Sequence, residues 1–90
     1  MNYQESYNKN NDYTKYTASV FGESVCVIRS GPPGIALAQA ETVAYELASQ
    51  LTPLETTNRE HEDHFDSAVE QLLSAILHCW EERGYAWTTN

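Results

Sequence analysis

Apolar and polar positions alternate most clearly in "YTKYTASVFGESVCVIRS", residues 13–30. This run is rich in Tyr, Thr, Val and Ile, the residues that favour strands. Gly22-Glu23 sits in its middle, and a two-residue Gly-X loop suits a type II′ hairpin because Gly takes positive φ without steric cost. Such a loop pairs Phe21 with Ser24, Val20 with Val25, Ala18 with Val27 and Tyr16 with Arg29. One face of the predicted hairpin then reads Tyr16, Ala18, Val20, Val25, Val27 and needs a cover. The opposite face reads Tyr13, Lys15, Thr17, Ser19, Cys26, Ile28 and is mixed.

After the hairpin, "SGPPG" breaks the chain. A phosphate-binding P-loop is excluded there, since no Lys-Ser/Thr follows the glycines. "GIAL" fits a short third strand. From about Ala38 to Thr52 the period changes from two to 3.6: Ala40, Val43, Ala44, Leu47 and Leu51 fall on one helix face, and Pro53 ends it. Thr57 with Glu60 forms a capping box, with Asn58 as a competing cap, for a second helix running to about Arg83. Phe65, Val69, Leu72, Leu73, Ile76 and Trp80 give that helix an apolar stripe that reads as core. Gly84 is placed to close it as a left-handed C-terminal residue. The tail "YAWTTN" is expected to lie on a sheet edge. Residues 1–12, "MNYQESYNKNND", show no sustained period and read as a flexible polar N-terminal arm. The predicted fold is α+β: a single domain over 13–90 in which an antiparallel β-hairpin or three-stranded sheet packs against two α-helices.

Length and charge narrow the function. A chain of 90 residues holds one core and buries about 60–65% of the surface its unfolded form exposes. With 41% hydrophobic residues it can pack that core rather than stay disordered. Thirteen acids against five bases give a net charge of −8. Phosphate binding rests on Lys and Arg clusters, so direct contact with nucleic acid or an acidic membrane is not expected. A basic partner is the natural complement of such a field. The first residues carry no apolar signal-peptide core, and no run approaches ~20 apolar residues. Two cysteines, Cys26 and Cys79, are too few for a disulfide framework. A cytoplasmic protein with reduced thiols is expected.

The densest chemistry is "REHEDHFD", residues 59–66. His61 and His64 lie one helical turn apart, but zinc needs three or four ligands, and H-E-D-H is one residue short of the H-E-x-x-H spacing. His78 lies fourteen residues beyond His64, ~21 Å along a helix, so it cannot share an ion with it. A carboxylate from Glu60 or a second subunit is all that could complete a weak site, and no metal or other cofactor is expected. His78 and Cys79 are adjacent in sequence, about 100° apart on a helix, and do not face each other. No pocket is indicated that would separate the pKa values of paired carboxylates, so a non-catalytic protein is expected. The acids remain. Asp63, Asp66 and Glu70 share one helix face, which Ser74 and Glu81 extend, while Glu60 and Glu62 crowd the helix start. Three carboxylates over ~10.5 Å give about one per 3.5 Å, near the ~3.4 Å rise per phosphate of a DNA strand. The helix dipole favours acids in the first turn but reaches neither Glu70 nor Glu81.

"YTKYT", followed by a Ser-Val pair, a short apolar run, "SG" and a helix bearing Tyr45 and ending near Leu51, resembles a family of small acidic phage anti-CRISPR proteins that block the type I-F surveillance complex. The resemblance covers roughly Tyr13 to Leu51, more weakly the final helix, and only "YTKYT" is distinctive. It implies an antiparallel sheet packed by two helices, and a duplex-DNA mimic whose carboxylates engage lysines of the complex's DNA-binding channel. Two features depart from the family pattern: no helix precedes the first strand, and the central helix carries only Glu41 and Glu46. Glu41 is the best positional carry-over.

The resulting expectation is a phage-encoded, non-catalytic inhibitor in the bacterial host cytoplasm. Its partner is a basic nucleic-acid-binding protein, a CRISPR-Cas effector subunit foremost. Its contact surface comprises Glu60, Glu62, Asp63, Asp66 and Glu70, assisted by Glu41, Glu46 and Glu55. The alternative is a small structural or adaptor module that homodimerises through an apolar helix face anchored by Trp80, Trp87 and Leu77.

Overall fold

A computed structural model describes residues 2–52 and 58–88, side chains included except at 58–62. Three antiparallel strands in the order β1-β2-β3 form one sheet: β1 Asn2–Asn8, β2 Tyr13–Val20 and β3 Glu23–Ser30. Two helices, α1 Leu37–Ala48 and α2 Asn58–Arg83, cover one face of it. The α+β class predicted from periodicity is the observed one. At ~1.5 Å per residue α2 is ~39 Å long, nearly the 43 Å long axis of the molecule.

Residues 2–12 are not a loose arm. Residues 2–8 pair along their whole length with β2, from Asn2↔Ser19 to Asn8↔Tyr13. The Asn-rich stretch that follows is a turn, in which the Asn11 amide donates to Asn8 Oδ1 at 3.0 Å and the Tyr7 hydroxyl donates to Asp12 Oδ1 at 2.6 Å. Alternation is present in β1 but is masked, because its helix-facing residues are Tyr3, Glu5 and Tyr7 and the middle one is a carboxylate. The predicted "GIAL" strand shrinks to a single parallel bridge, Ala36↔Thr88. The C-terminal tail thus lies against residues 35–37 and not on the sheet edge. Thr88 O accepts from the Leu37 amide at 2.7 Å, which supplies a cap that Ala36 has no side chain to give.

The hairpin turn is also displaced. Val20 pairs with Glu23 and Ala18 with Val25, so the loop is Phe21-Gly22, with φ of 52° and 81°. Two successive positive φ values mark a type I′ turn, whose twist matches that of the flanking strands. Phe21 tolerates this conformation with its ring stacked on His64, centroids 4.2 Å apart. Each pairing moves by two residues relative to the predicted register, so every side chain keeps its face. Tyr16, Ala18, Val20, Val25 and Val27 are all buried, as the alternation requires.

Against that face α1 sets Ala40, Val43, Ala44 and Leu47, with Leu51 just beyond its end, and α2 sets Ala68, Leu72, Ile76 and Trp80. Helix α1 ends at Ala48, before the predicted Thr52; Pro53 and the Thr57–Glu60 box lie outside the described residues. Gly84, φ 73°, closes α2 as a Schellman motif: its amide donates to Glu81 O at 3.1 Å and that of Tyr85 to Trp80 O at 3.0 Å. The open edge of β3 is covered locally by Gln50, whose side-chain amide bonds both the amide and the carbonyl of Cys26. Among the described residues no helix is long and apolar enough to cross a membrane.

Candidate acidic helix face and the groove beside it

Asp63, Asp66 and Glu70 are all exposed on α2. Taking Val69 as origin and 100° per residue, they fall at about 120°, 60° and 100° respectively, one narrow arc pointing away from the sheet. Glu81 falls on the same arc and is exposed, as is Ser74 nearby. The match to phosphate spacing does not survive inspection of the intervals. Asp63 to Asp66 is ~4.5 Å and Asp66 to Glu70 ~6 Å along the axis, both wider than ~3.4 Å. The face offers the charge of a phosphate strand without its repeat. Glu55 and the side chains of Glu60, His61 and Glu62 lie outside the described residues.

On α1, Glu41 is exposed and unpaired among the described side chains, whereas Glu46 is half-buried and forms an ion pair with Arg29. Of the five bases, Arg59 has its side chain outside the described residues. Arg29 and Arg83 are paired with Glu46 and Glu5, Lys9 lies in the β1–β2 turn, and exposed Lys15 is on the sheet face turned away from the helices. Among the described side chains, the two bases without an ion-pair partner, Lys9 and Lys15, thus lie in the β1–β2 turn and on the outer sheet face, away from the α2 arc.

Between the helices runs a groove of about 530 Å³. Tyr45, Val69 and Leu73 form its apolar floor, with Glu41 and Glu46 on the α1 wall. The arc of acids on α2 begins about 60° round from Val69, so Asp66 is its member nearest the groove, whereas Glu70 lines a separate depression with Gln71, Ser74, Ala75 and His78. Tyr45 is 59% exposed, and its ring meets Phe65 edge-on at 5.2 Å.

A second cluster was hidden from sequence reasoning. Glu5, whose side chain is fully enclosed, accepts hydrogen bonds from the Tyr3 hydroxyl at 2.5 Å and from Trp80 Nε1 at 3.0 Å. Arg83 lies 3.6 Å from its Oε1 and donates to its backbone oxygen at 3.4 Å. Oε1 has no hydrogen-bond donor of its own. Burial, then the bond to Glu5, pushes the Tyr3 hydroxyl far above the usual tyrosine range. Burial, then the charge of Glu5, pushes Tyr16 up to about 12. The same two causes raise the Cys79 thiol. A thiol shifted upward stays protonated at neutral pH and is a poor nucleophile, so this cluster is a structural clasp tying β1 to the end of α2. Only the spacing Tyr3, Glu5, Tyr7 could have signalled it.

The two histidines with described side chains do not meet. His64 stacks on Phe21 and exposed His78 pairs with Glu82 at 3.1 Å. Among the described residues no three His, Cys, Asp or Glu side chains converge on a point that could hold a metal ion. The proposed dimer anchors are largely used within the subunit. Trp80 has no exposed surface, Trp87 packs on it with centroids 6.2 Å apart, and Leu77 is half-buried against the core. Comparison with protein-family models, curated proteins and solved structures gives no match.

Proposed function

We propose that this protein is a non-catalytic inhibitor that uses its acidic helix layer to occupy the nucleic-acid-binding surface of a basic partner. The observation that carries this reading is the exposed arc of Asp63, Asp66 and Glu70, set apart from the molecule's described bases. Of the acids named from sequence for the contact surface, these three and Glu41 are, among the described side chains, the ones free of an ion pair, and Glu46 contributes less, being already paired with Arg29; Glu55, Glu60 and Glu62 complete the proposed surface. The sequence resemblance supports a CRISPR-Cas effector complex as the target and a phage as the source. Charge of one sign gathered on one side speeds encounter with a basic channel, and it makes association salt-sensitive.

The test is a plaque assay in bacteria with an active type I-F system, backed by DNA-binding measurements on the purified complex. Wild-type protein should restore plaques and displace DNA, the latter less well as salt rises. Reversing Asp63, Asp66 and Glu70 to lysine together moves the net charge from −8 to −2, six units, and should abolish both effects with the circular dichroism unchanged. Full activity of that variant, or no effect of the wild type on any effector type, overturns the reading.

A further inference from the structure

Charge alone gives a binding surface sign but little grip, because exposed ion pairs contribute only ~0.2–1 kcal/mol each. Tight complexes also need a desolvated apolar anchor near the centre of the contact. The groove between α1 and α2 has that character. Tyr45 is a large aromatic side chain left 59% exposed in the last turn of α1, beside half-buried Val69 and Leu73. Beside the floor stand the carboxylates of Glu41 and Glu46 and the hydroxyl of Thr42, which donates to Ala38 O.

We propose that this groove docks an amphipathic basic helix of the partner. An aliphatic ridge would lie on Tyr45, Val69 and Leu73, with lysines or arginines set against Glu41 on one wall and Asp66 at the edge of the other. A helix fits the shape: two packed helices present parallel ridges, and a third lays its own ridge into the furrow between them. The twelve residues of α1 offer ~18 Å of wall, enough for about three turns. A small molecule of suitable volume would find no convergent polar groups deep in the groove to orient it. The inference rests on the proposed inhibitor reading only for the partner's charge; the apolar anchor is independent of it.

The probe is a synthetic helical peptide of about fifteen residues, with leucines three and four apart on one face and lysines flanking them. A scrambled peptide of identical composition is the control. Calorimetry should show the patterned peptide binding at least tenfold more tightly than the scrambled one. Amide resonance shifts should centre on Tyr45, Val69 and Leu73. Tyr45→Ala should weaken binding about tenfold and Glu41→Lys about fivefold; both side chains are exposed, so both variants should keep the wild-type circular dichroism. Equal binding of the scrambled peptide, undiminished binding by Tyr45→Ala, shifts centred elsewhere or no binding overturns the proposal. So does a protein dimer that dissociates on Tyr45→Ala, which would seat a second copy in the groove. The two readings separate cleanly. Peptide binding without any inhibitory activity removes only the inhibitor reading. Charge-dependent inhibition that Tyr45→Ala leaves intact, with no peptide binding, removes only the groove.

Discussion

Replacing Glu5 tests whether the N-terminal strand is part of the folding unit. Its carboxylate meets the indole N–H of Trp80, which has no exposed surface, and the hydroxyl of half-buried Tyr3. Glu5→Ala leaves that indole donor buried without an acceptor, at a cost of ~1–3 kcal/mol. Losing the attraction to Arg83 adds at most ~1 kcal/mol, because the arginine side chain is 44% exposed and screened. The expected total is about 1–4 kcal/mol, against roughly 5–13 kcal/mol for a domain of this length. Glu5→Gln keeps one acceptor oxygen for Trp80 and loses only the charge assistance, so about 1–2 kcal/mol is expected. Urea unfolding followed by tryptophan fluorescence measures both, since Trp80 and Trp87 sit in the region perturbed. With m near ~1.5 kcal/mol/M, the midpoint of Glu5→Ala falls by about 2 M. Trp80→Phe removes the donor, and a double-mutant cycle with Glu5→Ala should return a coupling of ~1–2 kcal/mol. A Glu5→Ala variant within ~0.5 kcal/mol of wild type is the behaviour of an unattached arm, and it would refute the clasp.

Two further outcomes follow from the packing. Gly31 and Gly34 both have φ near +80°, so alanine at either strains the backbone by ~1 kcal/mol; a Cβ at Gly34 would also lie 2.3 Å from Tyr85 Cδ2, whereas one at Gly31 meets nothing within 4 Å. Gly34→Ala should therefore lower the urea midpoint at least twice as far as Gly31→Ala, and equal shifts would count against the packing of Tyr85. Tyr3 and Tyr16 are held above the usual tyrosine value of 10 in the folded state by burial and by Glu5, so above pH 10 the unfolded chain loses protons that the folded one keeps. Their contribution to stability is complete below pH 10 and declines above it by ~1.4 kcal/mol per pH unit for each tyrosine, with Tyr16 finishing near pH 12. Urea midpoints measured from pH 8 to 12 should be level and then fall, with a shallower fall in Tyr16→Phe; a wild-type midpoint still level at pH 11 contradicts the assignment.

Local periodicity was enough to determine the hairpin faces, the apolar stripes of both helices and the Gly84 stop, because each depends on side-chain repeat along one segment. The hairpin register could be misplaced by two residues without consequence for the core, since a shift of two preserves every side chain's face. The acids on α2 were likewise legible as one arc, from helical spacing alone. Strand β1 was not, because the middle of its helix-facing side is a carboxylate that becomes tolerable only when Tyr3, Trp80 and Arg83 converge on it. The pairing of Glu46 with Arg29, which leaves Glu41 as the freer acid of α1, spans seventeen residues that no local pattern connects. The groove depends on α1 and α2 lying side by side, so Tyr45 could be read as part of a helix but not as the floor of a binding surface. Sequence by itself determined the faces and the sign of the charge. Tertiary structure decided which acids stay free and what lies between them, because both depend on neighbours distant in the chain.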